Sequence, residues 1–174
     1  MPAFPTTNDI GLAEAFEGVA EFNAVHPPQP DDCTVVVGAS GLLSVAEHMP
    51  ETIFVTDRDP LLLEWVAKNV GALLASPDRK SFFTAIHFPG HCIENESEIF
   101  GSNFFLASEE RFLTVRQAIA ERTIGYVRMD YGVEGHVASL ARMLCAHQKR
   151  VRLFNATNMH RYIRTDYVNQ GGRL

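Results

Sequence analysis

The sequence predicts an α/β domain with a mostly parallel sheet and helices on both faces, in three layers. Three observations predict it. Short apolar or β-branched runs at 34–37, 53–55, 124–127 and 151–154 alternate with segments of helical period. The first two runs are continuously apolar or β-branched rather than alternating, as strands buried on both faces are. Each is followed within three residues by glycine, acid or amide, at Gly38, Asp57, Asp130 and Asn155. Strands that alternate with helices are joined by right-handed crossovers, which place helices on both faces of a parallel sheet.

Each element has a local reason. Leu12, Phe16, Val19, Ala20 and Phe22 follow helical spacing over 8–25, and His26-Pro-Pro-Gln-Pro30 stops that helix. Asp31 and Asp32 read as a continuation of this linker, so residues 1–30 form an N-terminal helix with a proline-rich connection and 31–174 the main domain. Leu42, Val45, Ala46 and Met49 mark a helix that ends at Pro50. Asp59-Pro60 opens the next, with Asp as cap and Pro at the first helical position. Leu62, Trp65, Val66, Asn69 and Leu73 are its inner face. Ser108, Glu109 and Glu110 open a helix carrying Phe112, Val115, Ala118 and Ile119, and Val137, Leu140, Ala141 and Leu144 stripe another. Residues 76–107 carry apolar pieces without period and read as an irregular lid-like segment, since a structureless stretch of that length is usually functional.

Composition narrows the function. The net charge of -6 and the dispersed arginines offer no positive face for nucleic acid. No apolar run approaches the roughly 20 residues that a membrane helix needs. The N-terminus lacks a signal-peptide pattern, and three separated cysteines suggest neither a disulfide framework nor a zinc ribbon. A soluble cytoplasmic protein is the expectation.

Ligands of open α/β sheets bind beyond the carboxyl ends of the strands, at the switch in strand order. Gly38, Ala39, Ser40 and Gly41 there allow a tight turn and close backbone approach. Asp57 follows Gly38 by 19 positions, near the spacing of about 20 expected for a carboxylate that holds ribose hydroxyls. The competing interpretation is a turn glycine followed by an ordinary capping aspartate.

The run from Val35 to Gly41, followed by Phe54-Val-Thr-Asp-Arg-Asp-Pro60, resembles the first two motifs of class I S-adenosylmethionine-dependent methyltransferases. The resemblance implies a Rossmann-like sheet of order 3-2-1-4, here lacking the usual C-terminal strands. It implies S-adenosylmethionine as cofactor, with Gly38, Ala39, Ser40 and Gly41 beneath its methionine part and Asp57 on the ribose. Arg58 is grouped with them, and Asp130 would meet the adenine amine. Asn155, near the transferred methyl, and Tyr131, just past the third strand, would orient a small-molecule acceptor. A looser likeness to poorly characterised bacterial proteins of that fold covers about 102–163, on Phe104-Phe-Leu-Ala-Ser-Glu-Glu-Arg-Phe112, Thr157-Asn158 and Tyr162-Ile163. The glycine motif departs from the family pattern, reading G-x-x-G. The fourth strand would be a bare edge unless the N-terminal helix, the tail or another subunit covers it, so either self-association or a reduced or excised domain is the expectation.

Other constellations weigh less. Pro89-Gly90 separates His87 from His91, Cys92 and Glu94, so no metal site is expected. Tyr126, mid-strand, reads as core. A non-catalytic protein of the same fold and an NAD(P)-dependent oxidoreductase are the alternatives. No tyrosine has the lysine four residues later that short-chain dehydrogenases usually carry.

Overall fold

The computed structural model describes residues 12–38, 42–86, 97–98 and 101–155. Strands β1 (Asp32–Val37), β2 (Thr52–Asp57), β3 (Thr123–Arg128) and β4 (Arg150–Asn155) form one all-parallel sheet in the order β3-β2-β1-β4. The described residues include the helices α1 (Leu12–Val25), α2 (Leu42–Val45), α3 (Pro60–Ala75), α4 (Arg79–Ala85), α5 (Glu109–Ala120) and α6 (Glu134–Ala146). A 3-10 turn, Ala46–His48, continues α2, so the stretch that reads as one helix up to Pro50 tightens in its second half. The fold is the α/β, Rossmann-like arrangement of the sequence reading. None of the described helices is long and apolar enough to cross a membrane.

The alternation of the pleat sorts the apolar residues into two layers. On one face Val36, Ile53 and Val55 pack with Leu42, Leu63, Val66, Leu73, Phe112, Val115 and Ile119 from α2, α3 and α5. On the other, Cys33 and Val35 pack with Met129 and with Leu140 and Leu144 of α6. β1, flanked by β2 and β4, is buried along its whole length. That accounts for its unbroken valine run. The caps behave as their residue types require: Asp59 accepts from the Leu61 N–H and Ser108 from the Arg111 N–H.

The structure departs from the sequence reading at several places. Asp32 is no linker residue; it is the first residue of β1 and 1% exposed. Within 76–107, Phe82, Ile86, Phe104, Phe105 and Leu106 pack into the core, which the absence of period does not predict. Asp78 caps α4 by accepting from the Ser81 N–H, and Phe82 at its centre is completely buried. Phe104, Phe105 and Leu106 are buried too, with the Phe82 ring 5.7 Å from Phe105 and 5.6 Å from Phe112. Residues 87–96 and 99–100 lie outside the described residues, and with them His87, His91, Cys92 and Glu94. Tyr126 is 36% exposed rather than core, because β3 is an edge strand.

β4 is the other edge. Its register with β1 shifts between Cys33 and Thr34, so that Val151 faces Cys33 and Leu153 faces Thr34. The extra residue is Arg152, whose side chain turns in to Asp32 and is 11% exposed. An irregular register and an inward charge are devices that blunt an edge strand.

Gly125 on β3 has a packing reason. A Cβ there would stand 2.9 Å from Cδ1 of Phe54, whose ring lies across the strand. Gly125→Ala is therefore expected to displace that ring and lower stability by about 1 kcal/mol, at the low end of overpacking costs because a partly exposed ring can yield. A urea-denaturation midpoint equal to that of the parent chain would show that the ring moves without cost.

Candidate functional site

The chain runs outward from β1 to β2 to β3, then crosses back to place β4 on the far side of β1. The strand order thus switches between β1 and β4, and beyond the carboxyl ends at such a switch open α/β sheets bind their ligands. The structure brings Gly38, Asp57, Asp130 and Tyr131 to the tips of β1, β2 and β3. Asn155 is the last residue of β4, paired in register with Val36. Its side chain lies outside the described residues, as do Ala39, Ser40 and Gly41. Arg58 follows Asp57 and is exposed.

Gly38 leaves β1 with φ +70°, and its N–H donates to the Thr56 carbonyl at 2.9 Å. A Cβ at Gly38 would meet Oδ2 of Asp57 at 3.5 Å and Leu62 at 3.7 Å, ordinary contacts. Backbone conformation, more than lack of room, demands glycine here.

Asp57 is half-buried. Its Oδ1 accepts from the Asp59 N–H at 2.8 Å, and its Oδ2 lies toward Gly38. Burial pushes its carboxyl above the ordinary value, and the charge of Asp59 adds to this; the Asp59 and Arg58 N–H groups and the Arg58 charge only partly offset it. No ion pair to Asp57 occurs among the described residues. The cap of α3 is Asp59, so capping does not account for the carboxylate two residues earlier.

The β3 tip turns through Asp130. Its Oδ1 accepts from the Gly132 N–H at 2.9 Å, and its own N–H donates to Nδ1 of His136 at 3.1 Å. With Nδ1 accepting, the proton of a neutral His136 resides on Nε2. Tyr131 turns back onto the sheet. Its hydroxyl lies 2.7 Å from Oγ1 of Thr56, and its ring meets Phe154 edge to face at 5.7 Å. Burial raises its phenol pKa and the nearby Asp57 charge adds to this, against the Thr56 hydrogen bond.

Sequence reasoning passed over Thr56 and His136. Thr56 immediately precedes Asp57 and is completely buried. His136 lies six residues beyond Asp130, in the first turn of α6. The usable signal for His136 was a ring nitrogen following an acidic strand stop; for Thr56, a hydroxyl beside that stop.

A separate hollow of about 300 Å³ lies away from these tips, between α1 and β4. Val19, Phe22, His48, Pro50, Arg152 and Leu153 line much of it. None of the sequence-predicted site residues among those described lines it. Among the described residues no cluster of three or more His, Cys, Asp or Glu side chains is placed to hold a metal.

Comparison of the chain with protein-family models, with curated proteins and with solved structures gives no match.

Proposed function

We propose that the chain binds S-adenosylmethionine across the tips of β1, β2 and β3 and acts as a methyltransferase-like enzyme on a small-molecule acceptor. The observation that carries this reading is Asp57, a half-buried carboxylate with no ion-pair partner among the described residues, beside a left-handed Gly38 at the neighbouring strand tip. A carboxylate held at such a cost in solvation is a candidate for ligand binding. With one oxygen occupied by the Asp59 N–H, the other remains to accept from the two hydroxyls of a ribose. Asp130 keeps acceptor capacity for an adenine amine, since only its Oδ1 is bonded to Gly132.

The bound cofactor would supply a methyl carbon already activated by its sulfonium. The chain's part is then to bind, align and exclude water, and no charged triad is needed. Tyr131, braced against Thr56 and Phe154, offers a fixed hydroxyl at the tip. The net charge of -6 suits a small acceptor better than nucleic acid.

Titration calorimetry of the full chain tests the reading. S-adenosylhomocysteine is expected to bind with a Kd in the micromolar range, about -7 to -8 kcal/mol, and NADH not to bind. Absence of heat with adenosyl ligands at millimolar concentration would remove it, and heat with NADH would replace it by an oxidoreductase.

A further inference from the structure

We propose that Thr56 is a positioning residue that fixes the hydroxyl of Tyr131 as a hydrogen-bond acceptor toward the crevice, so that this spot selects ligand groups carrying an O–H or N–H. The inference rests on reading the strand tips as a ligand crevice. It goes further by naming the chemistry that one wall accepts.

The argument is a count of protons. Thr56 is completely buried, and its hydroxyl has one proton. Oγ1 lies 3.1 Å from the Val36 carbonyl and 2.7 Å from the Tyr131 hydroxyl. A carbonyl can only accept, so the Thr56 proton belongs to Val36. The contact with Tyr131 is then a hydrogen bond only if the phenol donates. One arrangement satisfies both: Tyr131 donates to Thr56, and Thr56 donates to Val36. The alternative leaves two buried oxygens, Thr56 Oγ1 and the Val36 carbonyl, 3.1 Å apart with no proton between them.

A phenol has a single proton, and here it points inward. What Tyr131 can still offer is a lone pair. Its neighbours reinforce the bias: Asp57 and Asp130 are carboxylates that each already take one backbone N–H. A ligand hydroxyl, amine or amide N–H is matched at this position. A carbonyl, ring nitrogen lone pair or phosphate oxygen finds no donor in the Tyr131 hydroxyl or in these two carboxylates.

The test uses two neutral bicyclic probes, indole with one N–H and no acceptor, and quinoline with an acceptor and no N–H. Tyrosine labelled with 13C at Cζ reports their binding through the Tyr131 signal, assigned by its loss in Tyr131→Phe. The wild-type chain is expected to favour indole at least about tenfold. Thr56→Val releases the phenol proton, so quinoline should gain and the preference should shrink about tenfold; Thr56→Ser, which keeps the hydroxyl, should restore it. Equal response to both probes in the wild type, or no response to either, overturns the proposal, as does a preference that survives Thr56→Val. The wild-type result decides even if a variant fails to fold. The same samples titrated with S-adenosylhomocysteine separate the two readings: donor preference without adenosyl binding removes the cofactor and leaves the role of Thr56 standing.

Discussion

Replacing Asp32 by alanine is expected to cost the fold about 3 kcal/mol, at the lower end of the range for breaking a buried ion pair from one side. Asp32 is 1% exposed and stands where four parts of the chain meet. Its Oδ2 accepts from the Gln29 N–H at 2.9 Å and faces Arg152 at 3.4 Å, while its Oδ1 accepts from Nε of Arg150 at 2.9 Å. Arg152 donates onward to Asn23 at 2.9 Å and to the His26 carbonyl, and its guanidinium lies over the Phe22 ring at 4.7 Å. The carboxylate thus ties α1 and the proline-rich connection to β1 and β4. Its removal leaves a guanidinium that is 11% exposed without its counter-charge. Arg150 is 62% exposed and loses little, which is why the lower end of the range applies. In a chain of this size the loss corresponds to a fall in Tm of about 6–12 °C. Calorimetric melting at neutral pH checks it, and a Tm within about 2 °C of wild type would show the cluster to be incidental.

The pH dependence of that contribution has a definite sign. Burial on its own would push the Asp32 carboxyl up, but the Gln29 N–H and the two arginines together hold it below its ordinary value. A depressed folded pKa means stability that is complete above the unfolded value of about 3.9 and lost as pH falls through the folded one. The gap between wild type and Asp32→Asn should therefore stay constant from neutrality down to about pH 5, then close.

Much of this architecture was legible in the sequence, for physical reasons that also mark where legibility stopped. The strands announced themselves because a parallel sheet buried on both faces needs unbroken apolar runs, as in Val35, Val36 and Val37. Their tips did so because each run ends at Gly38, Asp57, Asp130 or Asn155. Asp59-Pro60 located the start of α3 because caps are local chemistry. Segment 76–107 failed to read as structure because α4 has seven residues, only Phe82 of which is buried, so it shows no stripe. Phe104, Phe105 and Leu106 bury three consecutive side chains, which neither helical nor strand periodicity describes. They are secured by Arg79, which donates to the Leu106 and Ala107 carbonyls across a gap in sequence that no pattern reveals. Asp32 and Tyr131 show the same limit. Each residue type was visible, but their partners Arg152 and Thr56 lie 120 and 75 positions away.

Asp57→Asn separates function from stability at the candidate site. The amide oxygen can still accept from the Asp59 N–H, so the turn into α3 is kept, while the charge offered to a ribose is lost. A hydrogen bond to a charged group contributes about 1.5–3 kcal/mol, so S-adenosylhomocysteine should bind at least tenfold more weakly, by about 1.4 kcal/mol or more. Stability should move the other way. Burial raises the Asp57 carboxyl above its ordinary value, so its favourable contribution is fully present only below the unfolded pKa of about 3.9 and is lost as pH rises through the folded value. At neutrality the ionised group opposes folding relative to a neutral isostere. Asp57→Asn should thus melt above the wild type at pH 7 and lose that advantage below about pH 4, the opposite of Asp32→Asn. A carboxylate retained against the stability of its own fold points to a ligand that needs it. If Asp57→Asn instead melts below the wild type at pH 7 and leaves adenosyl affinity unchanged, the group serves the β2–α3 turn alone.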